Sequence, residues 1–125
     1  MNIWFNYHIS KMEGVSWMKY ILYNSNGDRL ILYSPNKKYA LYANDNGNLY
    51  ICSNIGEIKF IYYNDKSYVG IPNVGISNYG ELIMNLNNVT IYKTNKRIEA
   101  KNYTLVLNNR GELIIQNALY YYVIE

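Results

Sequence analysis

The side chains best equipped for chemistry in this chain are few, and most fail the spacing that chemistry requires. One histidine, His8, and one cysteine, Cys52, occur in 125 residues. A structural or catalytic zinc needs three or four protein ligands, so this pair cannot build one. Nine acidic residues are present, but none falls in a spacing that marks a carboxylate pair working as acid and base. His8 stands in no recognised catalytic spacing to a nucleophile, and Cys52 sits in an apolar strand pattern, where a buried, inert thiol is expected. The abundant functional groups are of another kind: 16 tyrosines and 20 asparagines. Amides pair with vicinal hydroxyls, and a phenol offers both an apolar ring and a hydroxyl. The same residues also have purely structural uses, tyrosine in strands and asparagine in turns.

The elements that must carry these groups are short strands. Half of the chain is hydrophobic and charged residues are only 17%. From residue 19 onward, apolar runs alternate with turn clusters about every ten residues. Strands are expected at Lys19–Tyr23, Arg29–Ser34, Lys38–Ala43, Asn48–Cys52, Glu57–Tyr63 and Ser67–Ile71. Further ones are expected at Glu81–Leu86, Asn88–Lys93, Arg97–Ala100, Asn102–Leu107, Glu112–Gln116 and Leu119–Ile124. Met12–Met18 fits a strand or a helical turn. A dozen short strands in one domain-sized chain predict an all-β sandwich, barrel or prism.

Several function classes drop out. The net charge of +3 is spread along the chain, without the basic stripe of a nucleic-acid footprint. One cysteine forbids an intrachain disulfide. No apolar run approaches the ~20 residues of a membrane-spanning helix. Met1–His8 lacks a basic leader, and Asn6 and His8 interrupt its apolar run, so no secretory signal is expected. Synthesis in the cytoplasm follows from that reading, with release by lysis or a dedicated route. The sequons Asn88-Val89-Thr90 and Asn102-Tyr103-Thr104 lie in strand patterns and read as chance.

Three segments repeat one another. Tyr39–Ile51 and Tyr103–Ile115 align without a gap, with apolar matches at 41/105, 49/113 and 51/115 and Gly47 matching Gly111. Leu82–Tyr92 fits with a turn one residue shorter. Such a glycine suits a hairpin that needs positive φ. The shared phase predicts that Leu41, Ala43, Leu49, Ile51, Leu82, Met84, Val89, Ile91, Leu105, Leu107, Leu113 and Ile115 are buried around one axis.

The stretch Gly27–Leu41, continuing through Asn46-Gly47-Asn48-Leu49-Tyr50-Ile51, resembles the bulb-type (monocot mannose-binding, B-type) lectin domain. Glu81–Tyr92 and Asn102–Gln116 resemble its second and third repeats. The resemblance covers about residues 19–124; residues 1–18 form an N-terminal extension packing on the domain, and residues 19–125 a single lectin-like domain. It implies a β-prism of three four-stranded antiparallel sheets with pseudo-threefold symmetry; a β-trefoil is the alternative threefold fold. The family's sugar motif is Q-x-D-x-N-x-V-x-Y, whose alternate positions point to one face of a strand. In its place the first repeat has Asn44, Asn46, Asn48, Tyr50 and Cys52, with only Asn48 identical. The second has Asn85, Asn88, Thr90 and Tyr92; the third has Asn108, Arg110, Glu112, Ile114 and Gln116, with no identity. Where the family carries tryptophan after each motif, this chain has Phe60, Glu99 and a tyrosine within 120–122, while Trp4 and Trp17 are N-terminal.

The resemblance implies a non-enzymatic lectin-like module for mannose-type glycans, weak per site and multivalent, without cofactor or metal. The first two motif sets are the expected sugar sites. An interaction or toxin-targeting module that has lost sugar binding is the alternative. The β-prone tail Leu119–Ile124 would leave an open sheet edge, so a homodimer through that strand is expected.

Overall fold

The computed structural model describes residues 14–66, 69–100 and 102–125. The chain among these residues is all-β, with three antiparallel sheets and no helix. Its strands are β1 (Val15–Trp17), β2 (Leu22–Tyr23), β3 (Arg29–Tyr33), β4 (Tyr39–Ala43), β5 (Leu49–Ser53), β6 (Ile58–Tyr62) and β7 (Pro72–Ser77). They continue as β8 (Leu82–Leu86), β9 (Val89–Lys93), β10 (Thr104–Leu107), β11 (Leu113–Gln116) and β12 (Tyr121–Ile124). The sheets run β2-β3-β4-β5-β6, β1-β7-β8-β9 and β10-β11-β12, so they hold five, four and three strands rather than four each.

One apolar cluster receives the inward face of all three sheets: Ile31, Leu41, Leu49 and Ile51 from the first, Val74, Ile76, Leu82 and Met84 from the second, Leu105, Leu107, Leu113 and Ile115 from the third. Ten of the twelve residues expected inside are buried. Val89 and Ile91 are the corrections: Val89 is 61% exposed and Ile91 half-buried. A bulge accounts for Ile91, whereas Val89, registered opposite the buried Leu86, is exposed at the strand end beside the Asn87-Asn88 turn. Met84 pairs with Tyr92 and Asn85 with Thr90, so Ile91 has no partner of its own and Tyr92 takes the inward place opposite Met84.

Two strand expectations also shift. The strand expected at 67–71 is β7, at Pro72–Ser77; residues 67 and 68 themselves lie outside the described residues. Pro72 and Gly75 hide it in the sequence, yet Gly75 is what admits β1. It pairs with Trp17, and a Cβ there would stand 2.8 Å from both Trp17 Cε3 and Val15 Cγ1. Arg97–Ala100 forms no strand; it is an irregular connection tied down by Arg97 N–H to Tyr79 C=O at 2.6 Å and Ala100 N–H to Asn78 C=O at 2.9 Å. Val15–Trp17, within the segment assigned to an N-terminal extension, is an integral strand of the second sheet, whereas Trp4 and His8 lie outside the described residues.

Candidate functional site

The asparagines serve first as turn builders. At Asn44 the backbone N–H donates to Asn48 C=O, the C=O accepts from Gly47 N–H, and Gly47 has φ 82°. The Asn44 Oδ1 then accepts the N–H groups of Asn46 and Asn48, each at 3.1 Å. This is a three-residue hairpin loop closed by a left-handed residue, with a side chain satisfying two backbone donors. The same arrangement recurs at Asn24, Ser53, Ser77 and Asn108, with Gly27, Gly56, Gly80 and Gly111 in the left-handed place. Sequence reading missed this five-copy motif, although Asn/Ser-x-x-Gly-Asp/Asn/Glu is visible in each copy.

The first predicted set therefore divides by role. Asn44 spends its acceptor in the turn. Asn46 accepts from Asn64 Nδ2 through its backbone C=O at 3.0 Å. Asn48 is buried, and its Oδ1 accepts Asn64 N–H at 2.8 Å. Tyr50 is the member that joins a larger surface. Directly registered residues run across all five strands: Leu22, Leu30, Tyr42, Tyr50 and Phe60. Because Leu41, Ala43, Leu49 and Ile51 fill the core, this row lies on the opposite, outward face. Tyr42 and Tyr50 stack with centroids 5.4 Å apart, Tyr50 and Phe60 meet edge-on at 6.0 Å, and Phe60 and Tyr63 edge-on at 5.1 Å.

This aromatic row is fixed at Tyr50 and open at its Phe60–Tyr63 end. Tyr50 is 7% exposed and its hydroxyl donates to Asp28. Burial, followed by that hydrogen bond to the carboxylate, raises its pKa. Phe60 and Tyr63 are 48% and 60% exposed. A second outward row holds Tyr33, Ala40, Cys52 and Ile58. Cys52 is thus half-buried on this face rather than enclosed in the core. Sequence reading singled out Tyr50 here; Tyr42 and Phe60 become visible as neighbours once the register is known.

The second predicted set is not gathered into an open row. Asn85 is buried and its Oδ1 accepts from Thr90 Oγ1 at 2.8 Å. Asn88 occupies the tight turn with Asn87, at φ 66° and 50°. Tyr92 stacks on Tyr62 at 4.9 Å in the seam between two sheets, and burial raises its pKa. In the third repeat, Arg110 and Glu112 line an open cleft of about 590 Å³ with Tyr39, Ser53, Glu57 and Lys59. Glu112 accepts from Asn108 Nδ2 at 2.7 Å and from Arg110, which together lower its pKa.

No group of three or more His, Cys, Asp or Glu able to hold a metal occurs among the described residues, and no helix there is long and apolar enough to cross a membrane. Comparison with protein-family models, with curated proteins and with solved structures finds no match to this chain.

Proposed function

We propose that the chain is a non-enzymatic carbohydrate-binding module of lectin type, related to the bulb-type lectins and built on a prism of their kind. Its ligand is a mannose-type glycan taken on the outward face of β2–β6. The observation that carries this reading is the aromatic row from Tyr42 through Tyr50 and Phe60 to Tyr63, anchored at Tyr50 by Asp28 and open to solvent at Phe60 and Tyr63. An exposed ring can cover the apolar face of a pyranose at about 1 kcal/mol per contact. Each net hydrogen bond to a sugar hydroxyl adds about 1 kcal/mol, because water competes for the same groups. With the cost of association subtracted, a single sugar binds at about millimolar strength, so useful avidity requires several copies. The β12 edge of the three-stranded sheet supplies a route to such copies through a homodimer.

A second reading is favoured by the same face. Leu22, Ile58 and Phe60 are 45%, 56% and 48% exposed, an apolar grouping that also suits a protein partner, as in a toxin-targeting module. Retention on insoluble mannan separates the two readings. The glycan reading expects the wild type to be retained and Phe60→Ala with Tyr63→Ala to elute in the void. A wild type that elutes there as well favours the protein-interaction reading.

A further inference from the structure

A different part of the molecule holds an unspent cation. Arg97 follows β9 in the irregular connection to β10, and its backbone N–H is fixed to Tyr79 C=O. Its stem lies against the Ser77–Glu81 turn, where a Cβ on Gly80 would stand 3.1 Å from Arg97 Cγ. Its guanidinium lies over the Tyr122 ring, 4.5 Å from the centroid. The side chain is therefore held from both sides. Its donors are nevertheless unused: the guanidinium has no ion pair or side-chain hydrogen bond among the described residues, and Nε is the one buried side-chain nitrogen or oxygen there without a partner. A planar guanidinium held in place, with its buried Nε–H unpartnered and no protein acceptor on its other donors among the described residues, is suited to an oxygen-rich anion.

Arg97 lines an open cleft of about 430 Å³ between the end of β9 and the end of β12. Lys93, Thr94 and Asn95 border it on one side, Val123, Ile124 and Glu125 on the other. Thr94 Oγ1 accepts Leu82 N–H at 2.8 Å, which leaves its own hydroxyl hydrogen free to donate. Lys93 Nζ is 3.6 Å from Glu81, whose other carboxylate oxygen accepts from Ser77, so that ion pair is loose on the lysine side. Glu125 is the opposing charge in the lining, and Lys96 is turned away over the Tyr79 ring at 4.6 Å.

We propose that this cleft binds an oxyanion, a carboxylate, sulfate or phosphate group, received by the Arg97 guanidinium with Lys93 and the Thr94 hydroxyl beside it. The site lies on the second and third sheets and stands independently of the glycan reading, which rests on the first. Its ligand is either a free inorganic oxyanion or the acidic substituent of a sugar.

The test is a titration of the full chain with sodium phosphate at constant ionic strength, followed through the arginine side-chain Nε–H resonances. The Arg97 signal, assigned by its loss in Arg97→Lys, is expected to move saturably with a midpoint of about millimolar. Lys93→Gln should raise that midpoint several-fold, and Glu125→Gln should lower it. These two exposed-site variants keep the test decisive if Arg97→Lys does not fold. Sodium glucuronate distinguishes the sources: tighter binding than phosphate points to an acidic sugar, weaker binding to a free oxyanion. An Arg97 signal that moves no more than those of Arg29 and Arg110, or a midpoint indifferent to both variants, overturns the proposal.

Discussion

Asn44 and its counterparts decide what the amides are free to do. A side-chain oxygen that accepts two backbone N–H groups is committed to the turn before any ligand arrives. Asn44→Ala should destabilise the fold by about 1–2 kcal/mol in urea unfolding, since two donors lose their acceptor. Asn44→Ser should recover most of that loss, because Ser53 and Ser77 do the same work in sister turns. Tyr20 and Tyr50 give the molecule an alkaline limit. Burial pushes Tyr20 up to about 12, while burial and Asp28 raise Tyr50. A folded pKa above the unfolded value of about 10 contributes stability that is complete below pH 10 and lost as pH rises beyond it. Thermal melts should therefore fall steeply above about pH 10, and Tyr50→Phe should soften that fall. A melting temperature flat through this range would contradict the assigned environments. Tyrosine and asparagine stand out in the sequence as the functional groups; that the side chains of Asn24, Asn44, Asn48 and Asn108 are bonded to the protein's own backbone follows from turn geometry, which composition does not carry.

Five turns of one design and three β-bulges set the element scale. The glycine of each turn is in the left-handed region, where a Cβ is strained. At Gly47 there is also no room, since a Cβ would stand 2.8 Å from Ile91 Cδ1 and 2.9 Å from Asn64 Nδ2. Gly47→Ala should cost about 2 kcal/mol or more, measured by chemical denaturation, whereas Gly27→Ala, with nothing within 4 Å, should cost only the backbone strain of about 1 kcal/mol. Equal losses at the two sites would contradict the packing described around Gly47. Strands flanking Asn-x-x-Gly turns were legible because alternation and turn chemistry agreed there. β7 was not, since Pro72 and Gly75 imitate turn residues and the reason for Gly75, the approach of Trp17, is 58 residues away in sequence. The inward phase of β9 was unreadable for a similar reason: a bulge brings Tyr92 opposite Met84 beside Ile91, and both pack against the core without either being marked in the sequence.

At the scale of the whole molecule, three sheets share one core, and their outward faces differ. The five-stranded sheet presents an aromatic row, whereas the seam of the other two carries the unspent guanidinium of Arg97. Three sheets on one core were legible from the repeated hairpins, because the first and third copies keep their apolar phase against it, while the second keeps it in β8 and loses it in β9. The unequal strand count arises where the chain crosses between sheets: β1 adds to the second sheet and β2 to the first, an assignment that local pattern cannot make. If the β12 edge joins two chains, light scattering at tens of micromolar protein should give twice the 14.7 kDa chain mass. A mass of one chain would remove the dimer and leave the aromatic face unaffected.

Aromatic-ring NMR of the wild-type chain titrated with soluble mannan decides whether the outward face of β2–β6 takes a glycan. The ring signals of Phe60, Tyr63 and Tyr42 are expected to shift or broaden as mannan is added, while those of Tyr92 and Tyr122, on the other sheets, stay in place. Unmoved Phe60 and Tyr63 signals at saturating mannan, or shifts centred on Tyr92 instead, would contradict glycan binding on that face.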